Sequence, residues 1–152
     1  MIKVVFVRRT LEESWLNNVK THWVDNRGRG EIWQFKHCYI IAENKQITNR
    51  HDAAVEELSE EELAHSLDTS KNEVEVIELP ISAEWIIRKR LSIHPKRWIN
   101  KRGYTRTWEH HFNPLALTGI AYTCSNMVGK LLGWNDFYSL EPDDIYNRLT
   151  AK

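Results

Sequence analysis

Residues 122–134 read YTCSNMVGKLLGW, and this stretch decides how the rest of the chain is interpreted. Cys124 and Ser125 stand directly before a short apolar pattern of helical spacing that ends at Gly133. A helix N-terminus presents unpaired N–H groups and a partial positive charge, which favour a thiolate and can hold an oxyanion. The position suits a nucleophilic cysteine. A small, inert core cysteine is the alternative.

A cysteine nucleophile needs a base, and His37 is the best-placed histidine. It opens the apolar run HCYIIAE at residues 37–43, which predicts a rigid start to a core strand. Asn49 follows beyond a predicted turn at residues 43–46, so a hairpin would bring it beside His37 and let it orient the imidazole. Strand alternation turns Cys38 to the opposite face from His37, and we expect Cys38 to be a sheltered core residue.

The chain mixes strand and helix patterns. Strands are predicted at residues 2–9, 32–43 and 73–81, the last with a possible slip in phase, and residues 47–50 would form a hairpin partner. Helices are predicted after the capping box of Thr10 and Glu13, through most of the acidic segment 52–67, after Ser82, from Cys124, and from Pro142. Residues 25–30 and most of 94–104 read as turn or loop. This order predicts an α+β fold with an antiparallel sheet packed against helices.

Length and composition fit a single domain spanning residues 1–152. The N-terminus does not read as a secretory signal, and no apolar run approaches membrane-spanning length. Two cysteines do not make a disulfide framework. Adjacent His110 and His111 lack two further ligands at a suitable spacing, so neither a metal site nor a cofactor is expected.

The formal net charge is zero, but the charges are segregated. Residues 52–78 are mostly acidic, and residues 85–108 contain bases and no acid. Two solvated surfaces that complement each other are the first interpretation. A basic patch for an anionic partner is the second. Nucleic acid, with Trp98 and Tyr104 as stacking residues, ranks last because no nucleic-acid-binding motif accompanies the bases.

The order of motifs resembles the circularly permuted branch of the NlpC/P60 papain-like superfamily. In that branch a histidine followed by an apolar strand precedes a glycine–tyrosine segment and then a Cys-Ser helix ending in Leu-Leu-Gly. His37, Gly103 with Tyr104, and Cys124 with Ser125 match in that order. A following helix of the P-D-D-hydrophobic-Y kind matches residues 142–146, so the resemblance spans nearly the whole chain.

The resemblance implies a papain-like thiol hydrolase of amide or ester bonds, acting on a peptide or acyl substrate such as peptidoglycan. Cys124 would be the nucleophile, His37 the general acid/base and Asn49 the orienting residue, with Thr48 or Gln46 in that place if the hairpin register differs. Tyr104, Tyr122 and Ser125 would bind substrate. The family often has an acidic residue where this chain has Asn126.

A stand-alone chain of this kind resembles the phage members of the family, which implies production in the cytoplasm and packaging in a virion. The alternative function is a structural or assembly component of a phage particle that keeps the fold with little catalysis. Its partners would be virion proteins, which would contact aromatic surfaces such as those at residues 31–35 and 134–138. Ordinary core packing is the favoured interpretation of both segments.

Overall fold

A computed structural model describes residues 1–8, 34–71, 73–98 and 113–151. The strands are β1 (Ile2–Arg8), β2 (Phe35–Ala42), β3 (Lys45–Ile47), β4 (Val55–Glu57), β5 (Val74–Leu79), β6 (Arg97–Trp98) and β7 (Ala121–Tyr122). The helices are α1 (Glu60–Ser66), α2 (Ala83–Leu91), α3 (Pro114–Leu117), α4 (Cys124–Leu131) and α5 (Pro142–Thr150), with a 3₁₀ turn at Phe137–Ser139. The helix predicted after Thr10, the turn at 25–30 and the segment around Tyr104 lie outside the described residues.

Five strands form one antiparallel sheet in the order β4-β3-β2-β1-β5. The predicted α+β class with an antiparallel sheet is therefore confirmed. A separate parallel pair joins β6 to β7 and places Trp98 beside Tyr122. No helix among the described residues is long and apolar enough to cross a membrane.

The two faces of the sheet are covered unequally. One face carries the main core, where α2, α4 and α5 pack on β2 and bury side chains such as Phe6, Cys38 and Ile86. The other face carries a smaller core of Val5, Ile41 and Leu58, completed by apolar side chains of α1 and its flanks. Both faces of the central strands are thus removed from water, and their apolar residues no longer alternate simply with polar ones.

Double coverage explains the apparent slip in phase predicted for β5. Its pairing with β1 runs without a shift from Ile2 opposite Leu79 to Val7 opposite Val74. Val74 and Val76 pack in the smaller core, whereas Ile77 and Leu79 pack against the main one. The prediction of a slip is wrong, because alternation continues and each half of the strand contributes to a different core.

The hairpin after β2 is present, but it is tighter than predicted. Glu43 adopts a positive φ of 59° at a turn between β2 and β3, so β3 begins at Lys45 and ends at Ile47. The following segment was predicted to be mostly helical from residue 52. Instead it first forms β4 beside β3, and the helix starts only after Ser59, whose side chain and that of Glu62 make a capping box.

Two helix starts behave as their sequences predict. Ser82 caps α2 by accepting a hydrogen bond from the Trp85 backbone N–H at 3.3 Å. Pro142 occupies the first turn of α5. The Asp143 carboxylate accepts hydrogen bonds from the backbone N–H groups of Gln34 and Phe35, at 2.8 and 3.0 Å. The acidic start of α5 therefore fixes the beginning of β2, two residues before His37.

Candidate active site

Cys124 is the first residue of α4, as predicted, and a polar network holds this helix start. Thr123 is the N-cap: its hydroxyl accepts a hydrogen bond from the Asn126 N–H at 3.2 Å, and its own N–H donates to Asn126 Oδ1 at 3.0 Å. Asn113 Nδ2 also donates to Asn126 Oδ1 at 2.8 Å, and Asn126 Nδ2 donates to the Phe137 carbonyl at 2.8 Å. Hydrogen bonds with Thr123, Asn113 and the Phe137 carbonyl therefore fix the first turn of α4.

Asn126 is the position where the resemblance leads one to expect an acid. The side chain is fully buried, and it accepts two hydrogen bonds while donating one. An ionised carboxylate is an acceptor only and could not donate to the Phe137 carbonyl. The amide therefore fits this network, and the departure from the family pattern has a local structural reason.

A cavity of about 240 Å³ opens beside Cys124. It lies where β3 pairs with Ile40, Ile41 and Ala42 of β2 but, among the strands that the structure describes, none pairs with the earlier part of β2 on that side. The lining combines one side of α4 with the edge of β2 and the segment after β3. Its polar and sulfur-bearing members are His37, Cys38, Tyr39, Gln46, Thr48, Asn49, Arg50, Glu56, Trp98, Cys124 and Met127. All three proposed catalytic residues line this one cavity.

Cys124 contacts the other cysteine. Neither cysteine is in a disulfide; Cys38 is fully buried, Cys124 is 4% exposed, and both belong to the main core. Burial and a hydrogen bond with the Cys124 side chain raise the pKa of Cys38 well above its usual value. The expectation that Cys38 is a sheltered core thiol agrees with this burial. Its direct contact with Cys124 was not foreseen.

His37 reaches the cavity from the other side of β2. Cys38 pairs with Phe6 in the main core, whereas the His37 ring lies 5.5 Å, between centroids, from the ring of Tyr39, which packs against the smaller core. In the pairing with β1, Val7 lies opposite His37 and the next residue, Arg8, lies opposite Phe35. Strand β2 therefore has one extra residue between these two pairs, at a β-bulge. The Nδ1 atom of His37 is buried, and no described residue forms a hydrogen bond with it.

Asn49 is tied to the cysteine helix. Its Nδ2 donates to the Tyr122 carbonyl at 2.7 Å, two residues before Cys124. The neighbouring backbone is held by Arg90, a fully buried side chain of α2 whose guanidinium donates to the carbonyls of Thr48 and Arg50 at 2.7 and 2.6 Å. Asn49 therefore lies between two anchored carbonyls, and the segment that carries it is rigidly positioned.

The residues expected to bind substrate lie mainly inside the protein. Ser125 is fully buried and donates to the Leu140 carbonyl at 2.7 Å. Tyr122 is 2% exposed, and burial raises its pKa. Neither lines the cavity. Tyr104 lies outside the described residues.

Sequence reasoning missed the polar group at the cavity formed by Arg50, Glu56 and Trp98. Arg50 lies 5.5 Å from the centre of the Trp98 ring and forms ion pairs with Asp52 at 3.0 Å and Glu56 at 3.3 Å. These residues come from three separate segments. No local sequence pattern brings them together, because they meet only through the pairing of β3 with β4 and of β6 with β7.

The described part of the basic segment is divided: Arg90 is buried and Lys89 is half-buried, whereas the remaining bases, Arg88, Lys96 and Arg97, are exposed. Arg88 pairs with Glu84 at 2.6 Å, Lys89 donates to the Leu131 carbonyl at 3.2 Å, and Arg90 is buried. The described aromatic side chains of the two segments considered as assembly surfaces pack inward, and residues 31–33 lie outside the described residues. Phe35 is 1% exposed, and the aromatic residues at 134–138 are partly buried against the main core. For these residues the core interpretation is confirmed.

Comparison with protein-family models, with curated proteins and with solved structures finds no match for this chain. The resemblance to the permuted NlpC/P60 branch therefore rests on its sequence motifs. Among the residues that the structure describes, no cluster of His, Cys, Asp or Glu side chains is arranged to hold a metal ion.

Proposed function

We propose that this protein is a thiol hydrolase of amide or ester bonds, with Cys124 as its nucleophile. The observation that carries the proposal is the position of Cys124 at a firmly capped helix start that lines a cavity. The helix dipole and the first N–H groups of α4 favour negative charge there. They are also suited to stabilise the oxyanion that forms when a thiolate attacks a carbonyl carbon.

The contact with Cys38 supports this role. A raised pKa keeps Cys38 protonated, so its S–H can donate to the Cys124 sulfur and support charge on that atom. In the proposed reaction the Cys124 thiolate forms a thioester with the acyl group, and the leaving amine or alcohol takes up a proton. Water then hydrolyses the thioester and regenerates the thiol.

His37 is the proposed proton donor and acceptor. It lines the cavity that Cys124 lines, but its ring now rests against Tyr39. The proposal therefore requires the imidazole to turn about its Cα–Cβ bond toward the cavity when substrate binds. The buried and unbonded Nδ1 favours such a movement, because an unsatisfied buried nitrogen costs about 1–3 kcal/mol that a new hydrogen bond would recover.

The substrate class comes from the family resemblance, which extends the proposal to the peptides of peptidoglycan. The cavity supports a peptide-like substrate in one respect. It offers an aromatic surface at Trp98 together with both signs of charge, at Arg50 and Glu56. A peptide carrying amino and carboxylate groups could pair with both, whereas a purely apolar acyl chain could pair with neither.

The nucleophile is tested by comparing wild type, Cys124→Ala and Cys38→Ala on purified peptidoglycan and on a chromogenic acyl ester. Muropeptides are analysed by mass spectrometry, and the fold is checked by circular dichroism. Cys124→Ala should lose hydrolysis while remaining folded, and Cys38→Ala should keep measurable hydrolysis. Equal rates for wild type and Cys124→Ala would refute the proposal and favour an assembly role for this fold.

The base is tested separately with His37→Ala, with His65→Ala as the matched control. His65 is an exposed histidine of α1 that does not line this cavity. His37→Ala should reduce hydrolysis strongly, and His65→Ala should leave it unchanged. Full activity of folded His37→Ala would show that another group serves Cys124.

A further inference from the structure

The two cysteines of this chain form a pair that the proposed hydrolysis does not fully explain. Cys38 lies within β2 of the central sheet, and Cys124 lies in the first turn of the helix packed on that strand. Both side chains belong to the main core and line the same cavity, and the Cys124 side chain is a hydrogen-bond partner that helps raise the pKa of Cys38. The proposed hydrolysis uses Cys38 only as a donor to the Cys124 sulfur, and two neighbouring thiols also permit a chemistry of their own.

We propose that Cys38 and Cys124 form a reversible disulfide that reports oxidation and blocks the cavity thiol. Its effect on hydrolysis rests on the proposed function, whereas formation of the bond does not. Each thiol is held by a regular element, and these two elements pack on each other. The bond requires the sulfur atoms to approach to ~2.05 Å. Rotations about the two Cα–Cβ bonds are the motion required.

The two cysteines differ in a way that assigns their roles. Cys124 is 4% exposed and belongs to the helix start, where thiolate is favoured, so a small oxidant entering the cavity meets it first. Cys38 is fully buried, and burial keeps it protonated. Cys124 is therefore the sulfur that is oxidised, and Cys38 is the resolving thiol.

With hydrogen peroxide as the oxidant, the steps balance. The Cys124 thiolate attacks one peroxide oxygen, the O–O bond breaks, and with one proton this yields a sulfenic acid and water. The Cys38 sulfur then attacks the Cys124 sulfur, the S–O bond breaks, and the Cys38 proton leaves with the hydroxide as a second water. The sum is two thiols and one peroxide giving one disulfide and two waters. Thiol reductants reverse it.

The bond is detected directly in the full-length folded protein. After treatment with hydrogen peroxide and an acid quench, the intact mass should fall by two hydrogen atoms. Proteolysis without reductant should yield one peptide pair joining Cys38 to Cys124, and dithiothreitol should restore both thiols to iodoacetamide labelling. Cys38→Ser should instead accumulate a Cys124 sulfenate that dimedone traps.

Other outcomes overturn the inference. Oxidation of Cys124 to a sulfinic acid while Cys38 stays a free thiol would show that Cys38 does not resolve it, and dimers linked between chains would show that the partner thiol is not internal. Hydrolysis is measured in parallel on the same samples. A disulfide without any hydrolysis in the reduced protein would leave this inference standing and reject the hydrolase. If the reduced protein hydrolyses the substrate but dithiothreitol cannot restore that activity after peroxide treatment, the hydrolase stands and the reversible disulfide is rejected.

Discussion

Replacement of Arg90 by Met is the perturbation that best tests how the fold positions the site. The guanidinium is 1% exposed and donates to three backbone carbonyls, those of Thr48, Arg50 and Ile93, at 2.7, 2.6 and 3.0 Å. Methionine keeps much of the apolar stem and removes every donor. The first two carbonyls flank Asn49, so the substitution loosens the segment that carries a proposed site residue.

The expected loss of stability follows from those three hydrogen bonds. A buried carbonyl left unpaired costs about 1–3 kcal/mol, which sums to about 3–9 kcal/mol for three. Two effects reduce this sum: the desolvation cost of the guanidinium disappears, and water can enter from the cavity beside Thr48 and Arg50. We expect a net loss of about 3 kcal/mol, a large fraction of the ~5–15 kcal/mol typical of a folded domain.

Urea unfolding measures this loss, and Arg88→Met is the matched control. Arg88 lies on the same helix, is 74% exposed, and forms one i,i+4 ion pair with Glu84. Such a pair contributes about 0.2–0.5 kcal/mol, so the control should unfold close to wild type. Arg90→Lys should be intermediate, because an ammonium cannot match the fork of a guanidinium. If Arg90→Met loses no more stability than Arg88→Met, the buried guanidinium is not the anchor described above.

Three further predictions follow from separate contacts. Gly129→Ala should lower the free energy of unfolding in urea by about 1–2 kcal/mol, because its Cβ would lie 2.7 Å from the buried Leu140 Cδ1 and overpacking outweighs the ~1 kcal/mol gain in helix propensity. Hydrogen bonds from Arg148 lower the pKa of Asp136, so this pair stabilises the fold above the unfolded pKa of about 3.9 and stops doing so as pH falls through the native value. When thermal unfolding is measured over a pH series, Asp136→Asn should therefore lose less stability at acid pH than wild type. An equal loss in both proteins would contradict this prediction. Asn49→Ala should slow hydrolysis without abolishing it, whereas an unchanged rate would mean that the hydrogen bond from Asn49 to the Tyr122 carbonyl has no part in the reaction.

Local signals predicted the helix starts well. Ser82 caps α2 and Pro142 opens α5, because a cap depends on residues within one turn of each other. The strand at β4 was missed for the opposite reason. Val55–Glu57 is a three-residue strand in a segment rich in helix-favouring glutamates, and only its pairing with β3 makes it extended.

The sequence also predicted the relation between His37 and Cys38, and it assigned His37 as the residue that Cys124 would meet. Alternation along β2 places the two side chains on opposite faces, and the structure follows that rule. The face of β2 that α4 covers depends on the whole fold, because the apolar positions of several helices determine it. The helix lies on the Cys38 face, where Cys124 and Cys38 share the main core, and Cys124 and His37 line the same cavity.

That choice of face links the two proposals made for Cys124. A histidine on the covered face would have made a fixed Cys–His pair, with little room for a second thiol. Here the covered face supplies Cys38, and the imidazole must come around the edge of β2 where β3 has already ended. The same open edge that gives His37 its route to the cavity also gives a small oxidant its route to Cys124. Oxidation would then compete with acyl transfer for the same sulfur atom, and the neighbouring thiol would make that oxidation reversible.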